Sequence, residues 1–240
     1  MLSNVTDPKA WYVRSLFSRV PKEYDALLGL LTFGQDHYWR SFVAAKSDLP
    51  TNGLVLDVAT GPGTLATELS QRLGERGLVV GIDLTRAMLQ TAKTNLRGRD
   101  LGNRADWVLA RAENLPFKDE CFNASTISLA LRNVSDAKKT LGEMARTTIP
   151  GGTVISLDFT RPTNKLFRVV YYDYLLGLFP VIGRIVSEAW GQTLSYLGRS
   201  ILRARTGQQV ENLMTVEGLV NTRSVPLTMG VVCAVYGKKR

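Results

Sequence analysis

Leu54-Val55-Leu56-Asp57-Val58-Ala59-Thr60-Gly61-Pro62-Gly63-Thr64 is an apolar run that breaks into a glycine turn, and its reading decides the fold. The run suits a buried strand. After the turn, Leu65, Leu69 and Leu73 recur at helical spacing. Leu78-Val79-Val80-Gly81-Ile82 then forms a second apolar run that ends on Asp83. The unit is strand, glycine turn, helix, strand, carboxylate. Gly61 and Gly63 allow tight or left-handed backbone, so that a ligand can lie against bare main chain beside the free N–H groups of the next helix. A carboxylate closing the second strand can accept both hydroxyls of a ribose. Gly61-Pro62-Gly63-Thr64-Leu65-Ala66 also satisfies the G-x-G-x-x-G/A dinucleotide fingerprint. The turn alone therefore says nucleoside cofactor and leaves NAD open.

Asp57 argues for a different nucleoside. A dinucleotide pyrophosphate gains nothing from a carboxylate at the strand end, whereas a ligand with an amino group and a sulfonium does. The spacing Asp57-x-x-x-Gly61-x-Gly63, followed by Asp83, resembles motifs I and II of the class I S-adenosyl-L-methionine (SAM) methyltransferases.

The chain has 240 residues, 45% of them hydrophobic, enough for one well-filled α/β domain. The net charge of +9 and the pI near 9.7 permit nucleic acid, anionic lipid or an acidic partner. Positive charge collects at Lys138-Lys139, Arg199 to Arg205 and Lys238-Lys239-Arg240. Cys121 and Cys233 are too few for a disulfide framework and favour a reducing compartment. One histidine, His37, and no cysteine or carboxylate cluster at ligand spacing predict no metal. No amino-terminal signal pattern is present, and no apolar run reaches the length of a spanning helix.

Residues 1 to 48 read as a helical cap, with an apolar stripe through Trp11, Phe17, Val20, Tyr24 and Leu27-Leu28, then a second helix carrying Trp39, Phe42 and Val43. Helix 85–96, strand 107–110 and the turn Arg111 to Phe117 follow. A buried fourth strand, Ala124 to Leu129, runs abruptly into Arg132-Asn133-Val134, an arginine and an amide at the carboxyl end of a strand, where α/β ligand crevices lie. Asn133 or Ser135 can equally cap the helix 137–146. Pro150-Gly151-Gly152 ends that helix and Thr153 to Phe159 is the fifth strand. Residues 162–206 break the alternation with a very apolar segment, Leu166 to Pro180, interrupted by Arg168 and Asp173, which reads as a lid. Val225–Thr228 and Val231–Tyr236 close the chain as an antiparallel pair. Strand-helix alternation implies a parallel, doubly wound sheet.

Nearly the full length resembles the UbiE-like C-methyltransferases of ubiquinone and menaquinone biosynthesis. The resemblance rests on Phe17-Ser18-Arg19-Val20, Tyr24-Asp25, Phe33-Gly34, His37-Tyr38-Trp39-Arg40, the glycine motif, Ala112-Glu113-Asn114-Leu115-Pro116-Phe117, Leu131-Arg132-Asn133-Val134, Leu157-Asp158-Phe159 and Leu227-Thr228-x-Gly230-Val231-Val232. It implies an α/β fold, with a doubly wound, mainly parallel seven-stranded Rossmann-like sheet in a single domain. Residues 1–48 form the cap, 52–160 the cofactor core, 161–206 the substrate lid and 207–240 the last strands. It implies SAM as cofactor, bound by Asp57, Thr60, Gly61, Gly63, Asp83, Leu84, Ala112, Glu113 and Ser128. It also implies methyl transfer to a ring carbon of a prenylated quinol, with Arg132 stabilising a developing phenolate, Asn133 orienting it and His37 taking the proton if the cap folds over the site. The expected partners are the prenylated quinol and, peripherally, an anionic membrane at the inner face of a cytoplasmic enzyme. No nucleic acid is expected, and a homodimer is left open. Another small lipid or phenolic acceptor, or a SAM-binding subunit of a membrane-associated complex, are the alternatives. Arg111 departs from the family at the position that usually holds the adenine amino group, Pro62 is unusual in the glycine loop, and the segment 208–221 is shorter than the family's.

Overall fold

The computed structural model describes residues 7–21, 23–99 and 101–240. Three helices come first: α1 (Pro8–Phe17), α2 (Tyr24–Leu31) and α3 (Gln35–Lys46). Asp7 caps α1 by accepting from the Lys9 and Ala10 amides, and Pro8 fills the first turn, where its missing N–H costs nothing. Alternation then begins: β1 (Leu54–Val58), α4 (Thr64–Arg72), β2 (Leu78–Asp83), α5 (Arg86–Arg97), β3 (Ala105–Leu109), β4 (Phe122–Ser128), α6 (Ala137–Thr147) and β5 (Thr148–Phe159). The lid follows as α7 (Lys165–Asp173), a π-helical stretch (Tyr174–Leu178), α8 (Phe179–Val186) and α9 (Glu188–Leu202). The chain closes with α10 (Gly207–Val216), β6 (Leu219–Leu227) and β7 (Val232–Lys239).

The seven strands make one sheet in the order β3-β2-β1-β4-β5-β7-β6, parallel except for β7, which is antiparallel to both neighbours. The order reverses between β1 and β4, and at such a switch point the carboxyl ends of the strands diverge to leave a crevice. Asp57 of β1 lies in register with Gly81 of β2 on one side and Thr126 of β4 on the other. The glycine turn, Asp83 and the residues after β4 therefore share one edge of the sheet.

The boundaries expected for the core hold to within a few residues, except that β5 begins at Thr148 directly after α6, so Pro150-Gly151-Gly152 lies inside the strand and does not end the helix. The carboxyl-terminal strands are longer than the two short segments expected, and α10 was not foreseen as a helix. Its capping box, Thr206 with Gln209, is the signal that marks its start. Asp136, and neither Asn133 nor Ser135, caps α6 by accepting from the Lys139 amide at 3.0 Å.

The lid contradicts one expectation. Lys165–Val186 is a continuous helical stretch of 22 residues, long and apolar enough by length and composition to cross a membrane. Its buried side, Tyr171, Leu175, Phe179 and Gly183, packs on α9, where a Cβ on Gly183 would meet the Trp190 backbone at 2.7 Å. Leu166, Val169, Val170 and Ile185 on its other faces are exposed.

Candidate active site

A cavity opens at the carboxyl ends of β1, β2 and β4, where ligands of α/β sheets bind. Asp57, Thr60, Gly61, Asp83, Leu84, Ala112, Glu113, Ser128 and Asn133 all line it, so the sheet brings together nine of the twelve residues singled out in the sequence. The cap contributes Ala10, Val13, Phe17, Tyr24 and Arg40 to its wall.

Gly61 and Gly63 are both left-handed, with φ of +57° and +83°. A Cβ on Gly61 would meet nothing within 4 Å, so bare backbone faces the cavity there. At Gly63 a Cβ would approach Ala92 at 2.9 Å and Trp107 at 3.2 Å, so this glycine lets the turn sit down on α5 and β3 and does not itself line the cavity. Ala59 and Leu129, at the ends of β1 and β4, are left-handed without being glycine, and both border the cavity. Strain of this kind concentrates where surrounding structure fixes a functional geometry.

Asp57 is 1% exposed and accepts from Thr60 Oγ1 at 2.6 Å and Thr126 Oγ1 at 2.9 Å. Burial outweighs these two hydrogen bonds and pushes its carboxyl up to about 6. Asp83 accepts from the Thr85 amide and hydroxyl, each at 2.8 Å, and from the Gly61 amide at 3.0 Å. Burial raises its pKa as well. Two buried carboxylates in one cavity are disfavoured in their charged forms unless a cation joins them. The amino group and sulfonium of SAM supply that charge. Ser128 Oγ is buried and has no hydrogen-bond partner among the described residues, a further polar atom left for a ligand. These residues fit SAM.

Arg111 also lines the cavity. Its guanidinium pairs with Asp7 at 3.2 Å and with Glu113 at 3.3 Å, while the other oxygen of Glu113 accepts from the Ser135 amide at 2.8 Å. Lys9 donates to the carbonyls of Arg132 and Val134. These contacts clasp α1 over the turn after β3, which explains how the cap closes the cofactor end.

The structure separates the three residues expected to be catalytic. Asn133 lines the cavity, its Oδ1 accepting from Tyr196 Oη at 3.1 Å. Arg132 does not. Its side chain is 3% exposed, bound by Asp158 and the Leu129 carbonyl, both at 2.5 Å, and stacked over Phe159 with 5.0 Å from guanidinium to ring centre. His37 is 73% exposed and pairs with Glu68 at 3.2 Å, outside the cavity, because α3 turns it to the surface. It is in no position to take a proton from an acceptor held there.

Sequence reasoning did not assign Tyr24 and Arg40 to the cavity wall. Arg40 is buried between Asp36 and Asp25, and Asp25 accepts from Thr64 Oγ1 at 2.5 Å, which fixes α2 and α3 onto the glycine turn. An arginine and an aspartate in the middle of an apolar helical cap were the available signal. Among the described residues, no three His, Cys, Asp or Glu side chains converge as metal ligands.

A model of the ubiE/COQ5 methyltransferase family matches residues 5–239. The ubiquinone/menaquinone biosynthesis C-methyltransferase UbiE of Geotalea daltonii is 34% identical over 227 residues, covering 95% of this chain and 96% of that protein. The demethylmenaquinone methyltransferase of Desulfitobacterium hafniense is 34% identical over 231 residues, covering 96% and 91%. Among solved structures, a SAM-dependent methyltransferase from Aquifex aeolicus superposes with a TM-score of 0.62 at 18% identity, over 84% of this chain and 89% of its own. One from Thermotoga maritima gives 0.60 at 18% identity, over 95% and 100%.

Proposed function

Because this chain belongs to the ubiE/COQ5 methyltransferase family and is a SAM-dependent methyltransferase, we propose that its acceptor is a ring carbon of a prenylated quinol, of the demethylmenaquinol or 2-polyprenyl-benzoquinol type, in quinone biosynthesis. The observation that carries this reading is one cavity that runs from the glycine turn to an apolar wall of Ala10, Val13 and Phe17. A flat hydrophobic ring fits against such a wall. The names of the Geotalea and Desulfitobacterium relatives support the acceptor class.

When bound, SAM supplies a methyl group on a sulfonium, and the protein's task is to align the acceptor and keep water out. Asp57 would hold the amino group, Gly61 would offer its backbone, Asp83 would take the ribose hydroxyls, and Ala112 with Glu113 would border the adenine. A ring carbon is a poor nucleophile until a ring hydroxyl gives up its proton, so the site must stabilise the oxygen anion. Asn133 takes that role. Its Oδ1 is occupied by Tyr196, and its amide nitrogen has no partner among the described residues. Arg132 acts through Asn133 as a positioning residue, since Asp158 and Phe159 lock its guanidinium in place.

The exposed face of the lid takes the prenyl tail and meets the membrane. Leu166, Val169, Val170 and Ile185 are 59–80% exposed, and Lys165, Arg168 and Arg184 stand beside them for anionic headgroups. On this reading the enzyme works from the cytoplasmic side, peripheral at the inner face of the membrane.

The deciding experiment is incubation with methyl-labelled SAM and demethylmenaquinol or a demethylated benzoquinol, followed by extraction of the lipid. Label on ring carbon is the expected outcome. Absence of label in either quinol, alongside turnover of an acceptor with no isoprenoid tail, rejects the quinol and keeps the methyltransferase.

A further inference from the structure

A second cavity lies on the other side of the 132–133 segment, and among the described residues no carboxylate lines it. Its cations are Lys9 from α1, Arg132, Arg161 from the end of β5, and Arg199, Arg203 and Arg205 from the end of α9. Among the described residues, the guanidinium groups of Arg161, Arg199, Arg203 and Arg205 have no ion-pair or hydrogen-bond partner. Arg132 forms the inner wall, and its Nη2 is buried with no partner among the described residues. The helix dipole accounts for cations in the last turn of α9. It does not account for Arg161 and Lys9, which separate elements bring to the same hollow. Like charges gathered in a concavity repel one another and focus a strong positive potential, which an incoming anion relieves. The guanidinium fork matches phosphate oxygens two at a time. Tyr12 and Tyr196, rings edge to face at 5.6 Å, and Ser200 complete the wall without adding negative charge; the Tyr196 and Ser200 hydroxyls donate to Asn133 Oδ1 and the Leu197 carbonyl.

We propose that this cavity is a binding site for a phosphate or diphosphate group, distinct from the SAM cavity. Tyr196 is the wall between the two, because it lines the basic cavity and donates its hydroxyl to Asn133 in the other. A ligand here therefore sits one side chain away from the acceptor. Two sources offer this chemistry, a phospholipid headgroup at the membrane surface or a soluble diphosphate. The proposal is independent of which acceptor receives the methyl group.

The test is calorimetric titration of the whole protein with inorganic pyrophosphate, at constant ionic strength against chloride, for wild type and for the double variant R161E/R203E. Tight uptake by wild type, weakened at least tenfold in the double variant while SAM affinity is retained, is the expected result. R161Q/R203Q, which removes charge without reversing it, keeps the test valid if the reversal prevents folding. Co-sedimentation with phosphatidylglycerol-containing vesicles separates the sources. Recruitment that depends on Arg161 and Arg203 assigns the headgroup, and pyrophosphate uptake without such recruitment assigns the soluble diphosphate. If neither pyrophosphate nor vesicle binding depends on these two arginines, the site does not exist.

Discussion

At the scale of single residues, Asp57 makes the sharpest statement. Its ordinary pKa is 3.8 and its folded value about 6, so the folded protein binds a proton that the unfolded chain releases. The stability carried by the protonated form is complete below 3.8 and lost as pH rises through 6. Asp83 is shifted the same way, whereas Asp7 and Glu143, held low by their partners, matter only in the more acid range. The cofactor-free protein therefore melts higher at about pH 5 than at pH 7, and Asp57→Asn reduces that difference, as calorimetry at the two pH values will show. SAM uptake has the opposite sign. It requires the carboxylate, so affinity falls by about tenfold per pH unit below about 6, and Asp57→Asn loses most of it at every pH. Asn133→Ala leaves SAM binding intact and lowers kcat by about a hundredfold if the amide faces a developing oxyanion, which single-turnover rates measure. Gly63→Ala costs about 1–3 kcal/mol, because the residue is left-handed and its Cβ would strike Ala92, and urea denaturation reads this directly. The residues that line the cavity were legible because their pattern is local: glycines and carboxylates at fixed spacing along two strands. His37 was not, since only the angle at which α3 docks decides that it faces water.

At the scale of elements, the lid is where sequence and structure part. Composition predicted an apolar lid interrupted by charges, but not that the stretch from Lys165 to Val186 would run unbroken through a π-helical section. That section comes opposite Gly198 of α9, where a Cβ would lie 2.6 Å from the Leu175 carbonyl. The fit belongs to two helices and leaves no mark in the pattern of either one. Asn164 caps α7 through the Phe167 amide at 3.0 Å, and Asn164→Ala should cost about 1 kcal/mol of stability. The exposed apolar face makes a second prediction at this scale. Replacing Leu166 and Ile185 together by Glu reduces binding to anionic vesicles in a flotation assay and leaves SAM affinity unchanged. Equal flotation of the variant would show that this face does not meet lipid.

At the scale of the whole molecule, the sheet order follows from strand-helix alternation, and the place of the final strands does not. Val225 and Val231 marked two β segments, yet nothing local says that β7 enters between β5 and β6. The match is made by Leu157 opposite Ala234 and Val225 opposite the same Ala234, a packing across three strands. The cap is joined to this end of the chain as well, through Trp39 Nε1 and Thr228 Oγ1 at 2.8 Å. A ribosome delivers β6 before β7, so for a time the nascent protein carries an orphan ribbon beside a sheet whose β5 margin is bare. Two such margins invite pairing with other nascent copies. Any truncation upstream of Val232 freezes the molecule in that condition, and it should yield inclusion bodies in place of a shortened enzyme.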